Sequence, residues 1–181
     1  MKKILIIVGS QRKDSFNRQL GEAFAEVVGT KAEVSMLSWR DVPLFDQDSE
    51  YPTPASVASA REKVLAADAL YIVTPEYNFH IPGTLKNLLD WLSRPLEEGN
   101  WEKGSAVKGK AVAIAGAAGK SKAFGARKNL AAILQAMRMN LIGAEGFGIE
   151  IGSGYETGKL ALTEEEKSAL VKQAEMLLKE S

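Results

Sequence analysis

Five runs of apolar residues, each the length of a β-strand, alternate along the chain with segments of helical period, and this alternation restricts the possible folds more than any other feature. The runs fall at residues 4–8, 32–37, 69–74, 111–115 and, with weaker character, 141–147. Between them, Leu20, Phe24, Val27 and Val28 share one face of a helix over 18–28, and Val57, Ala60, Val64 and Leu65 one face of a helix over 55–67. Pro82-Gly83 marks the start of a third helix with the stripe Leu85, Leu88, Leu89, Leu92 and Leu96, and a fourth covers about 124–139. The last helix opens at a capping box, Thr163 with Glu166 three residues on, and carries Leu170, Ala174, Leu177 and Leu178. Such an order specifies an α/β fold, a mostly parallel sheet with helices on both faces. With right-handed crossovers, a chain of 181 residues selects a doubly wound five-stranded sheet of order 2-1-3-4-5, a single domain over residues 1–181. Its ligand crevice is expected beyond the carboxyl ends of strands one and three, where the winding reverses.

Composition removes several kinds of function. Lys and Arg number 23 and Asp and Glu 23, so the chain lacks the basic excess that a generic nucleic-acid or anionic-membrane binder needs. The absence of cysteine excludes disulfides, thiolate metal centres and a Cys nucleophile, and a single histidine removes the usual zinc and iron ligand sets. The apolar run after Met1-Lys2-Lys3 is too short for a signal sequence or a membrane span, so the expected location is the cytoplasm.

Three connections at one edge of the expected sheet carry the polar chemistry. After strand one comes Gly9-Ser10-Gln11-Arg12-Lys13-Asp14-Ser15-Phe16-Asn17, which runs directly into a helix. Hydroxyls, an arginine, an amide and the free N–H groups of a first helical turn suit a phosphate monoester. The simpler reading is that Asp14 or Ser15 caps the helix and Arg12 is solvated; position at the reversal of winding favours binding. After strand three, Thr74-Pro75-Glu76-Tyr77-Asn78-Phe79-His80-Ile81-Pro82-Gly83 is stiff enough to present a flat surface to a planar ligand. Within it Phe79 is expected to lie on the core edge and His80 to be a partly exposed structural residue. After strand four, Gly116-Ala117-Ala118-Gly119-Lys120-Ser121 is expected to offer backbone amides at close range. It is not a Walker A loop, because Ile114 stands where that motif requires glycine. Gly152-x-Gly154-x-x-x-Gly158 misses the dinucleotide fingerprint by one residue and has no strand predicted immediately before it. Phosphate clamp, flat shelf and amide-lined loop together describe a site for a planar mononucleotide.

The pattern Gly9-Ser10-x-Arg12-x-x-Ser15-x-Asn17, with Pro75-Glu76-Tyr77-Asn78 and Pro82-Gly83-x-Leu85-Lys86-Asn87-x-x-Asp90-Trp91, resembles the NAD(P)H-dependent FMN reductase family, whose fold is flavodoxin-like and whose members include quinone, azo-dye and chromate reductases. The resemblance implies FMN as cofactor and NAD(P)H as co-substrate, with hydride passing to the flavin and on to a small-molecule acceptor; no catalytic side chain is then required. It would assign Ser10, Arg12, Ser15, Phe16 and Asn17 to the FMN phosphate and its surroundings, and Pro75, Glu76, Tyr77 and Asn78 to the side of the ring. Amides of Gly116, Ala117 and Ala118 would lie near the pyrimidine edge, although Ala117 and Ala118 stand where relatives commonly carry hydroxyl residues. A flavodoxin-type electron carrier fits the neutral charge poorly, and a non-catalytic flavin sensor would keep the same contacts.

Trp91 falls about 120° from the centre of the leucine stripe on the third helix, beside Asn87 and Arg94. Either it folds sideways within the chain or it forms an interface. Its composition favours the interface, and the resemblance implies a homodimer or homotetramer with Trp91 near the contact.

Overall fold

The computed structural model describes residues 1–181. Its five strands, β1 (Lys3–Val8), β2 (Glu33–Met36), β3 (Ala69–Val73), β4 (Ala111–Ala118) and β5 (Asn140–Glu150), form one parallel sheet of order β2-β1-β3-β4-β5. The helices are α1 (Phe16–Val28), α2 (Ala55–Ala66), α3 (Gly83–Ser93), α4 (Phe124–Ala136), the single turn α5 (Gly154–Thr157) and α6 (Glu164–Glu180). This is the expected flavodoxin-like arrangement.

Apart from the exposed Lys3 that opens β1, the central strands β1, β3 and β4 are apolar throughout because each buries both faces. Leu5, Ile7, Leu70, Ile72, Val112 and Ile114 point to one side, where Ala60 and Val64 of α2, the leucines of α3 and Leu130 and Leu134 of α4 cover them. The alternate residues Ile4, Ile6, Val8, Tyr71 and Val73 face Leu20, Phe24 and Val28 of α1 and Leu170, Ala174 and Leu177 of α6. Tyr71 stacks on Phe24 at 3.6 Å and donates its buried hydroxyl to Gln173 at 2.9 Å. The capping box of α6 closes as expected, with the Thr163 hydroxyl accepting from the Glu166 N–H at 3.2 Å and the Glu166 carboxylate accepting from the Thr163 N–H at 2.9 Å. Two stripes are shorter than their periodicity suggested. Leu65 is half exposed, and Leu96 lies beyond the end of α3.

The exposed tryptophan expected at residue 91 is corrected by the structure. Trp91 is fully buried, and what covers it is the chain's own connection over residues 37–54. Its indole N–H donates to the Pro43 carbonyl at 2.9 Å, and Phe45 meets the ring edge-on at 4.9 Å. Asn87 donates to the same carbonyl at 2.8 Å and accepts from the Phe45 N–H at 2.7 Å, while Arg94 pairs with the buried carboxylate of Glu50 at 3.0 Å. The polar face read as an interface is thus the seat of a long loop.

In β5 the pairing with β4 jumps from Ala113↔Ile142 to Ala115↔Phe147. Gly143, Ala144 and Gly146 take positive φ there, and a Cβ on Gly146 would stand 1.9 Å from the Ile114 carbonyl oxygen. The Ile114 carbonyl at this bulge accepts from the side-chain amide of Gln173 at 2.8 Å.

Candidate functional site

The carboxyl ends of β1, β3 and β4 open into a cleft of about 230 Å³. Ten of the twelve residues expected at the site line it: Ser10, Arg12, Ser15, Phe16, Asn17, Pro75, Glu76, Tyr77, Ala117 and Ala118. Asn78 and Gly116 do not. A larger hollow of about 460 Å³ lies between the far ends of α3 and α4 and contains none of these twelve residues.

Gly9 begins the first connection, where a Cβ would come within 2.9 Å of the Leu85 side chain. Ser15 caps α1, accepting from the N–H groups of Asn17 at 3.2 Å and Arg18 at 3.4 Å, so the simpler reading of this hydroxyl holds. The backbone N–H groups of Lys13, Asp14, Ser15 and Phe16 nevertheless find no acceptor in the chain, which leaves a concentration of donors at the positive end of the α1 dipole. Arg12 is exposed above them, its guanidinium donating to the Asp14 carbonyl and lying 5.4 Å from the centre of the Phe16 ring. Asn17 turns inward. Its amide donates to the Ala117 carbonyl at 3.0 Å and accepts from the Ala117 N–H at 2.9 Å, tying α1 to β4.

The second connection is anchored on α4. Glu76 accepts from the N–H of Ala126 in the first turn of α4 at 2.9 Å, a carboxylate at a helix amino end. Tyr77 and His80 exchange two backbone hydrogen bonds around Asn78 and Phe79, both with positive φ, as in the tightest hairpin turns. This geometry overturns the expectation for Phe79. Its side chain is 80% exposed, because the turn directs it away from the core. Its carbonyl accepts from Asn129 at 3.2 Å and packs so closely on Gly125 that a Cβ there would come to 2.7 Å. His80 is exposed and closes the turn through its backbone.

The third connection is displaced relative to its expected place. Gly116, Ala117 and Ala118 are the last residues of β4, because β5 continues to Glu150 and supplies a partner for each. The amide of Ala117 is taken by Asn17, and Gly116 is packed so that a Cβ would stand 2.6 Å from the Thr74 carbonyl oxygen. A run of small residues looks like a loop when its partner strand is predicted too short. The open amides belong instead to Gly119, Lys120 and Ser121, which have no acceptor in the chain; Gly119 and Ser121 line the cleft, and Ser121 adds a hydroxyl. Arg127 shapes this turn from beneath, donating to the carbonyls of Lys122, Glu145 and Gly146 at 3.1, 2.9 and 2.9 Å. Burial pushes its pKa down, and the nearby charges of Glu145 and Glu76 oppose the shift.

Ile151 and Tyr155 also line the cleft, and Tyr155 meets Phe16 edge-on at 5.7 Å. The signal for them was the Gly152-x-Gly154 turn, set aside for want of a preceding strand; β5 ends two residues before it.

Residues 2–153 match the family described as NADPH-dependent FMN reductase. The chain belongs to this family. Among curated proteins, it is 40% identical over 117 residues to a 2-hydroxy-1,4-benzoquinone reductase of a Burkholderia species, an overlap of 64% of either chain. It is 42% identical over 95 residues to a quinone reductase of Escherichia coli K12, covering 51% of this chain and 50% of that one. The chain thus spans about half to two thirds of the length of the curated relatives it matches. A solved flavoenzyme NAD(P)H:(acceptor) oxidoreductase from Paracoccus denitrificans superposes with a TM-score of 0.82 at 25% identity, over 99% of this chain and 98% of that one.

Proposed function

We propose that this chain is one FMN-binding domain that oxidises NAD(P)H and passes the electrons to a small acceptor such as free flavin, a quinone, an azo compound or chromate. The observation that carries the reading is the convergence of two sets of unpartnered backbone donors, those of Ser15 and Phe16 and those of Gly119 and Ser121, on one cleft between β1, β3 and β4.

The residues present fit FMN. A phosphate monoester at the amino end of α1 meets free N–H groups, the Ser10 hydroxyl and the Arg12 guanidinium. Pro75 and Tyr77 form a rigid wall for a flat ring, and the amides of Gly119 and Ser121 would stabilise negative charge at its edge. Bound FMN supplies the hydride chemistry. The chain's own part is to orient the ring, to hold the second connection in place through Glu76 on α4, and to leave one side open where Tyr77 and Phe79 are exposed. The names of the relatives, quinone reductases and an NAD(P)H oxidoreductase, support this chemistry.

We also propose that the protein works in the cytoplasm as a homodimer or homotetramer, a reading supported by the absence of any helix long and apolar enough to cross a membrane and by the exposed aromatics Tyr77, Phe79 and Phe124. Trp91 has no part in that contact.

The purified protein is expected to bind FMN more tightly than riboflavin, to turn yellow, and then to oxidise NADH or NADPH in the presence of a quinone. Arg12→Ala is expected to raise the dissociation constant for FMN roughly ten- to a hundredfold, for a charge-assisted bond of about 1.5–3 kcal/mol. Equal affinity for the two flavins removes the phosphate contact, and flavin-loaded protein inert toward both nicotinamides removes the enzymatic reading.

A further inference from the structure

The segment after β5 carries three glycines, Gly152-x-Gly154-x-x-x-Gly158, that the dinucleotide fingerprint does not explain, and each has a part in building one turn. Gly152 and Gly158 take positive φ, 52° and 73°, and fold the chain back on either side of α5. Gly154 is packed so that a Cβ would stand 2.8 Å from the Lys159 carbonyl oxygen and 3.4 Å from the Phe16 ring. Gln19 of α1 fastens the turn: its side-chain amide donates to the Gly158 carbonyl at 3.0 Å and accepts from the Leu160 N–H at 2.8 Å. What this construction presents is Tyr155. Its ring meets Phe16 edge-on at the wall of the cleft, and its hydroxyl lies 3.9 Å from where a Cβ on Gly119 would stand. That hydroxyl has no hydrogen-bond partner in the chain, and the residue is 63% exposed. A tyrosine held this firmly, yet neither buried nor paired, is placed for a ligand, since the packing of the fold makes no use of it.

We infer that Tyr155 is a cofactor-binding residue that covers the ribityl chain of FMN and hydrogen-bonds one of its hydroxyls, with Gln19 as the positioning residue that holds it there. The inference rests on the proposed flavin site and adds to it a wall that lies beyond residues 2–153, the span matched by the family. The two donor sets locate the ribityl chain. The phosphate falls to the N–H groups of Ser15 and Phe16, and the edge of the ring to those of Gly119 and Ser121, so the polyol that joins phosphate to ring crosses the space between Phe16 and Gly119. Tyr155 spans that space, its ring against Phe16 and its hydroxyl toward Gly119. A polyol offers carbons to an aromatic face and hydroxyls to a group that both donates and accepts, and tyrosine supplies the two together. Because the turn is fixed by Gln19 before any ligand arrives, less freedom is lost when the cofactor binds.

Dissociation constants of the full chain, freed of flavin, are measured by fluorescence titration with FMN, riboflavin and lumiflavin, which has the ring but no ribityl chain. Tyr155→Phe is expected to raise the constants for FMN and riboflavin by the same factor, roughly fivefold for one lost hydrogen bond. Tyr155→Ala should raise both by roughly twentyfold or more, since the ring goes with the hydroxyl, and should leave lumiflavin unchanged. Gln19 stands outside the cleft. Gln19→Ala should therefore weaken FMN binding about fivefold in the wild-type background and not at all beside Tyr155→Ala, because it acts only through that side chain. The thermal transition of the flavin-free Tyr155 variants should move by no more than about 2 °C, as expected for a mostly exposed residue. An FMN constant unchanged in Tyr155→Ala overturns the assignment, as does an equal loss for lumiflavin, and a Gln19→Ala loss that persists beside Tyr155→Ala overturns the role of Gln19. Wild-type protein that binds none of the three flavins rejects the flavin site itself, a result distinct from wild-type binding that the Tyr155 variants retain.

Discussion

The side-chain amide of Asn17 closes two hydrogen bonds with the backbone of Ala117, a hundred residues away, and is 97% withdrawn from solvent, with 3% exposure remaining. As part of a motif that leads into a helix it reads as a ligand contact; in the folded chain it is a clasp between α1 and β4. Removing it strands a buried N–H and a buried carbonyl, each at a cost of about 1–3 kcal/mol. Asn17→Ala is therefore expected to lower the melting temperature of the flavin-free protein, by about 2–4 °C for each kcal/mol lost. An unchanged thermal transition would show that the clasp adds nothing to stability. Ser15 and Glu76 behave similarly, each occupied by a helix amino end while bordering the cleft. That these residues border the cleft was legible because the motif and the strand end coincide. What each polar atom does was not, because its partner comes from a distant segment.

The third helix shows the same division at the level of an element. Its leucine spacing placed Leu85, Leu88, Leu89 and Leu92 against the sheet correctly. Trp91, Asn87 and Arg94 were misread because the segment that covers them, residues 37–54, has no periodicity of its own and contributes backbone carbonyls and single side chains. Likewise the amide loop was placed three residues early, since the far half of β5, rich in glycine, carries little strand signal. The buried position of Trp91 changes the expected result of Trp91→Ala. Truncation should destabilise the fold by about 3–5 kcal/mol, as for other large core aromatics, and should expose the 37–54 connection to limited proteolysis. It should leave the mass of any assembly unaltered among the molecules that remain folded. A shift to the monomer mass without loss of stability would restore the interface that the structure has removed.

At the scale of the whole molecule, zero net charge hides a strong separation: uncompensated cations gather around the first connection, while exposed aromatics gather on the other side of the site at Tyr77, Phe79 and Phe124. The basic side suits phosphorylated ligands and the aromatic side suits a flat acceptor or a second copy of the chain. Light scattering at micromolar concentration is expected to give a mass at least twice 19.6 kDa. A mass of 19.6 kDa would mean that the aromatics serve small molecules alone. Both borders of the sheet also bear on how the chain survives its own synthesis. β2 has only four residues, and β5 is broken by the shift between Ile142 and Phe147. Neither border offers the long, flat, hydrogen-bonding rim on which strands of other half-made chains could stack, so a protein whose inner strands are almost wholly apolar is guarded at its edges against aggregation while it folds.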